Sequence, residues 1–163
     1  MQTQVGFAAS RRRAREVKVR VPPGVGDAQR IRLKGRGEPG RNGGPAGDLF
    51  VTVRVSAHEL FGRKSDNLTI DVPVTFAEAA LGSDIRVPTL DGDPVTIRIP
   101  PGTRSGRTFR VKGRGIDNGR HTGDLLVTVD VAVPAKLNAD ERKAVEALAA
   151  AAKESPRDYL GLS

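Results

Sequence analysis

Residues 19–37 read VRVPPGVGDAQRIRLKGRG, and residues 97–115 read IRIPPGTRSGRTFRVKGRG. At an offset of 78, Val21 falls on Ile99, Pro22-Pro23-Gly24 on Pro100-Pro101-Gly102, and Gly35-Arg36-Gly37 on Gly113-Arg114-Gly115. After a loop shorter by two, Gly47-Asp48-Leu49-Phe50-Val51-Thr52-Val53 meets Gly123-Asp124-Leu125-Leu126-Val127-Thr128-Val129. The glycines and prolines keep their places, while the core positions change identity and stay apolar. Two copies of one supersecondary unit produce that pattern; a solenoid needs at least three.

Each copy reads as strand, turn, strand, long loop, strand. Val17–Val21 and Val95–Ile99 alternate at the period of two that a half-buried strand requires. Pro-Pro-Gly ends this strand, because proline lacks the ladder donor and glycine supplies the turn. Arg30–Leu33 and Thr108–Val111 make the second strand, and Leu49–Val55 and Leu125–Val131 the third. Asp48 and Asp124 recur with the repeat, which favours turn capping over a pair of catalytic carboxylates. Gly35-Arg36-Gly37-Glu38-Pro39-Gly40 has the spacing of a dinucleotide loop, yet more loop follows where that motif must open a helix. No enzyme activity is expected.

Between the copies, Leu68, Ile70, Val72 and Val74 alternate as a strand, with Pro73 placing its far end at a sheet edge. Thr75 and Glu78 form a capping box for a short helix through Leu81, stopped by Gly82. Ile85 and Val87 belong to a further strand, and Asp91-Gly92 turns the chain into Val95–Ile99. The second copy is therefore complete. The first has no equivalent of 66–88 before it, and residues 1–16 carry no matching pattern.

The tail is helical. Asn138 and Glu141 make another capping box, and the alanine-rich run to Lys153 has high helix propensity. Ala144, Val145, Leu148, Ala149 and Ala152 share one face; Pro156 ends the run. A narrow face of this kind suits close packing, on a partner surface or on the chain's own domain. The expected fold is mainly all-β, with two tandem small β-domains, the first incomplete, plus a C-terminal α-helix. The segments are 1–16 unassigned, 17–56 a partial first β-domain, 57–134 a second, 135–155 the helix and 156–163 a tail.

Composition narrows the function. The absence of cysteine excludes disulfides, thiolate metal sites and a cysteine nucleophile. No apolar run is long enough to span a bilayer. The opening MQTQVGFAASRRRAR places its charge after a short apolar patch, the reverse of a secretory signal, so a cytoplasmic location is expected. The net charge of +8 raises the question of nucleic acid. Much of that charge alternates with valines, as on the solvated face of a two-sided sheet. One tyrosine, five phenylalanines and no tryptophan leave few stacking platforms. A basic nucleic-acid module, with Arg11–Arg13 and the Gly-Arg-Gly loops on phosphates, is therefore the alternative and not the favoured reading.

The repeated PPG…GRG…GDL units, the linking phrase HELFGRKSDNLTIDVPVTFAEAALG that begins at His58, and VPTLDG together resemble the C-terminal client-binding region of DnaJ-type (heat shock protein 40) co-chaperones. The resemblance covers roughly residues 17–155 and rests on two ordered copies plus their linker. It implies tandem β-sandwich-like domains, a C-terminal helix that pairs two protomers, and shallow apolar grooves. Those grooves hold unfolded client polypeptides for a heat shock protein 70 (DnaK-type) partner, without a cofactor. On this chain it points to Phe61, Leu68, Ile70, Val72, Ile85 and Val87 as client-binding residues. Val145, Leu148, Ala149 and Ala152 become the dimerisation face. The departures are equally plain. His58 and His121 precede Glu59 and Thr122, so there is no His-Pro-Asp turn of a J-domain, and no cysteine is present for the family's zinc module. A fragment that begins partway through the first domain is expected.

Overall fold

The computed structural model describes residues 2–7 and 15–161. In chain order these form β1 (Gln2–Phe7), β2 (Arg15–Arg20), β3 (Arg30–Leu33), β4 (Leu49–Thr52), β5 (Gly62–Lys64) and β6 (Asn67–Val74). Helix α1 (Phe76–Leu81) follows, then β7 (Ser83–Val87), β8 (Val95–Ile99), β9 (Thr108–Val111), β10 (Leu125–Val131) and helix α2 (Ala139–Ala151). The all-β expectation with one C-terminal helix matches this order. Residues through Val131 form one compact unit, and those from Ala132 a second.

The second copy builds a four-stranded sheet in the order β5-β6-β10-β9 and a separate β7-β8 ribbon. β10 runs parallel to β6 with Leu125 beside Leu68, Val127 beside Ile70 and Val129 beside Val72. Side chains on one face alternate with those on the other, so this register lines the apolar residues of both strands along a single face. Leu68, Ile70, Val74, Leu125, Val127 and Val129 meet Ile85, Val87 and Ile99 of the ribbon, with Phe61 and Ala79 completing the cluster. The whole buried cluster is drawn from residues 61–129.

Between sheet and ribbon, α1 begins as expected. Thr75 Oγ1 accepts from the Glu78 amide at 3.1 Å, and Glu78 Oε2 accepts from the Thr75 amide at 2.8 Å. Gly82 ends the helix at φ +81°, where an added Cβ would lie 2.9 Å from Pro101 Cδ. Both the conformation and the close approach exclude a side chain.

The same repeat positions have different fates in the two copies. Leu125, Val127, Val129 and Ile99 are fully buried, whereas their counterparts Leu49, Val51, Val53 and Val21 are only half-buried. For the third strand of each copy, pairing explains the difference. β10 has β6 on one side and β9 on the other, but β4 pairs with β3 alone. Among the described residues of the first copy, Val19 is the one apolar side chain buried as a core residue.

Residues 2–7 correct one expectation. They are not without a counterpart, because β1 pairs antiparallel with β2 as β7 does with β8. Thr3 faces Val19 and Val5 faces Val17, matching Ile85 opposite Ile97 and Val87 opposite Val95. The ladder is made by backbone groups, so it forms with little apolar content. Thr3, Val5 and Phe7 alternate with Gln2, Gln4 and Gly6, a pattern short enough to read as an unpatterned terminus. Elements equivalent to β6 and α1 are not found among the described residues of the first copy. The Arg11–Arg13 run lies outside the described residues.

The burial contrast has a measurable consequence. Leu125→Ala should lower unfolding stability by about 2–5 kcal/mol, the range for a fully enclosed leucine. Leu49→Ala, at the equivalent but half-open position, should cost about 1 kcal/mol. Equal losses in urea unfolding would contradict this account of the two copies.

Candidate functional site

The repeated loops are closed by the same device. Asp48 Oδ1 accepts from the Gly35 amide at 2.9 Å, and its other oxygen takes the Arg32 guanidinium. In the second copy, Asp124 Oδ1 accepts from the Gly113 amide at 3.0 Å and Oδ2 from Arg110 at 3.2 Å. Gly37 then donates to Gly47 at 2.8 Å, as Gly115 does to Gly123 at 2.8 Å. A Cβ on Gly37 would lie 2.6 Å from the Asp48 carbonyl oxygen, and one on Gly115 would lie 2.4 Å from the Gly123 carbonyl carbon. The turn-capping reading of the two aspartates is thus what the geometry shows. The hydrogen bond from Gly35, aided by the Arg32 guanidinium, holds the Asp48 carboxyl below its ordinary value of 3.8.

The six residues expected to line a client groove do not form an open one. Phe61, Leu68, Ile70, Ile85 and Val87 lie in the buried core, packed against one another and against β10. The expectation is corrected for these five. They are the apolar faces of strands that must cover each other, and sequence alternation does not distinguish a covered face from an open one. Val72 lies on the same face and is half-buried. On α2, Val145 and Leu148 are about half exposed and Ala149 is exposed, as is Ala152, the extended residue that caps the helix.

What the structure leaves open is a strand edge. Leu68 donates its amide to the Asp124 carbonyl, which directs the even-numbered backbone groups of β6 toward β10. The odd-numbered groups face the other side. There β5 pairs only with Asn67–Thr69, since it is three residues long and runs antiparallel with its first residue, Gly62, already opposite Thr69. Asp71 and Pro73 therefore face outward with no described strand beside them, and both side chains are exposed. Two residues beyond the strand, Phe76 is exposed, as is Leu81 at the far end of α1. Pro73 was the one signal of this edge in the sequence. The shortness of β5 was not readable there.

Several of the described arginines are occupied. Beyond Arg32 and Arg110, Arg98 pairs with Asp84 at 3.5 Å and Arg114 with Asp91 at 3.1 Å. Arg30 lies over the Phe50 ring at 4.7 Å and Arg107 over Phe109 at 4.9 Å. A phosphate backbone would have to compete with these local partners. Among the described residues, no cluster of three or more histidine, aspartate or glutamate side chains is arranged to hold a metal ion. No described helix is long and apolar enough to cross a membrane.

A pleated unit built twice, with an outward strand edge on β6 and one helix after the last strand, defines a mainly all-β domain. The DnaJ C terminal domain family matches residues 2–134, and the chain belongs to that family. The match begins within β1, in agreement with the pairing that gives those residues a place in the fold. The chain is 57% identical over 149 residues to a protein of Streptomyces avermitilis named chaperone protein DnaJ 1. That alignment takes in 90% of this chain and 38% of the relative. It is also 57% identical over 137 residues to chaperone protein DnaJ 2 of Cutibacterium acnes, covering 82% of this chain and 36% of that protein. Chaperone protein DnaJ 1 of Mycobacterium tuberculosis is 55% identical over 144 residues, covering 88% and 36%. The chain spans little more than a third of the length of these relatives.

The loop closure by Asp48 carries a pH signature. A depressed carboxylate contributes order that is complete above its unfolded value and lost as pH falls through the folded one. The Gly35 amide resonance should therefore titrate with its midpoint below pH 3.8. Asp48→Asn should shift that resonance at neutral pH and abolish the acid transition. A Gly35 titration centred above 3.8 would refute the assignment.

Proposed function

We propose that this chain is a chaperone module that holds unfolded or extended polypeptide segments for a heat shock protein 70 (DnaK-type) system in the cytoplasm. The observation that carries the reading is the outward edge of β6 beyond Thr69. An extended client has free backbone donors and acceptors, and it adds to a sheet where a strand edge offers the complementary groups. Asp71 offers an amide and a carbonyl there, and Pro73 a carbonyl alone. Half-buried Val72 and exposed Phe76 and Leu81 would take alternate apolar side chains. Of the six residues named from the resemblance, Val72 is carried forward as a client contact. The relatives' name, chaperone protein DnaJ, agrees with this reading.

The second part of the proposal is a homodimer formed through α2, with Val145, Leu148, Ala149 and Ala152 as the shared face. Alanines let two backbones approach closely, and the pair of larger residues supplies apolar area. The capping box on Asn138 and Glu141 fixes where the helix starts. Nucleic acid is the weaker reading, because the sequence offers few aromatic side chains on which bases could stack, and several arginines already have partners.

Two experiments test the proposal. With a chemically denatured client, the chain should suppress aggregation without nucleotide, and hydrogen exchange at the Asp71 amide should slow at least tenfold on client addition. The Val72 amide, directed toward β10, should change little. Aggregation unaffected by excess chain would end the chaperone reading. Client binding that leaves Asp71 unprotected would move the site elsewhere. For the dimer, deletion of residues 138–163 should roughly halve the solution mass in light scattering; an unchanged mass would remove α2 from the interface.

A further inference from the structure

The strands of the first copy and those of the second do not pair with one another among the described residues. The two copies meet instead through loops. Here Arg63, in the middle of β5, reaches across the seam. Its NH1 donates to the Val25 carbonyl at 2.8 Å and its NH2 to the Gly24 carbonyl at 2.8 Å. Its Nε donates to Ser65 O at 2.8 Å, which fixes the guanidinium plane against its own turn. Among the described residues, these two bonds to Gly24 and Val25 are the hydrogen bonds that link residues before 57 to those after.

The other wall of the seam is equally specific. Gly24 has φ +69°, and a Cβ there would lie 2.8 Å from Asn118 Cα and 2.9 Å from the Asp117 carbonyl oxygen. The loop that presents Asn118 is itself pinned to β5's turn. Asn118 Nδ2 donates to Asp66 Oδ2 at 2.9 Å, and His121 Nε2 lies 3.1 Å from the same oxygen. Apolar packing contributes little here, since an open cleft of about 700 Å³ runs alongside, bordered by Pro23, Gln29, Arg63, Asn118 and Arg120.

We propose that Arg63 is a positioning residue that latches the Pro22–Val25 turn of the first copy onto the second, so that the two copies hold one relative orientation. The fork of the guanidinium is the essential feature. Two neighbouring backbone carbonyls lie on one side and a third at its Nε, an arrangement that a planar five-donor group satisfies at once. An ammonium group is a single point on a flexible stem and cannot bridge all three. The inference does not rest on client binding, because its readout is a distance within the chain.

The chain has no cysteine, so cysteines introduced at exposed Thr52 and Thr96 can be spin-labelled without background. Pulsed dipolar spectroscopy on the full chain should give one narrow distance distribution. Arg63→Ala and Arg63→Lys should each at least double its width, while hydrogen exchange of the Leu125–Val129 amides stays within twofold of the parent chain. Gly24→Ala, which disturbs the seam from the other side and leaves β5 untouched, should broaden it likewise. An unchanged width in Arg63→Ala, or full rescue by lysine, would overturn the proposal. Should Arg63→Ala also expose the β10 amides, Gly24→Ala decides the matter: a width that stays narrow there overturns the latch, and broadening supports it.

Discussion

The parallel ladder between β6 and β10 is the contact on which the rest of the second copy depends. It brings Leu68, Ile70 and Val72 beside Leu125, Val127 and Val129 on one face. A sheet face of that width is what the β7-β8 ribbon needs in order to bury Ile85, Val87 and Ile99. Burial of apolar area is the main favourable term in such a small fold, and it scales with the area covered rather than with the sequence that supplies it. The first copy makes this point by contrast. Its Leu49, Val51 and Val53 are close chemical matches to buried residues, yet they remain half-exposed where β4 has a single neighbour.

Charge follows from the same alternation. Strands with valine or isoleucine on one face carry arginine on the other, and the structure gives several of those arginines a nearby carboxylate, carbonyl or ring. Surface pairs of this kind contribute little stability individually. Their effect here is positional: Arg32 and Arg110 hold the aspartates that close the loops, and Arg114 ties the second loop to the Asp91 turn.

Much of the fold was legible in the sequence. Arg30–Leu33, Thr108–Val111 and Val95–Ile99 could be read because proline, glycine and period-two alternation mark their ends. Both capping boxes were equally plain, since a hydroxyl or amide three residues before a glutamate has a local reason to start a helix. Legibility failed where partners are distant in sequence. Gln2–Phe7 pairs with Arg15–Arg20 through backbone groups that any sequence carries. The site was harder still. Leu68, Ile70, Ile85 and Val87 are apolar whether they face a client or the core, and only three-dimensional pairing shows that they are covered. The free edge at Asp71 depends on how late β5 begins, with Gly62 already opposite Thr69, for which the sequence has no marker beyond Pro73.

The closure of the two Gly-Arg-Gly loops has a practical side. Nine residues separate Gly37 from Gly47, and seven separate Gly115 from Gly123, yet the same amide-to-carbonyl bond forms across both stems. The stem thus tolerates a change in what it carries, as expected when closing a loop costs only slightly more with each added residue. The tip around Arg41–Gly43 is exposed and can serve as a grafting point. An epitope tag or a fluorophore-bearing peptide inserted there should leave the strands on either side undisturbed.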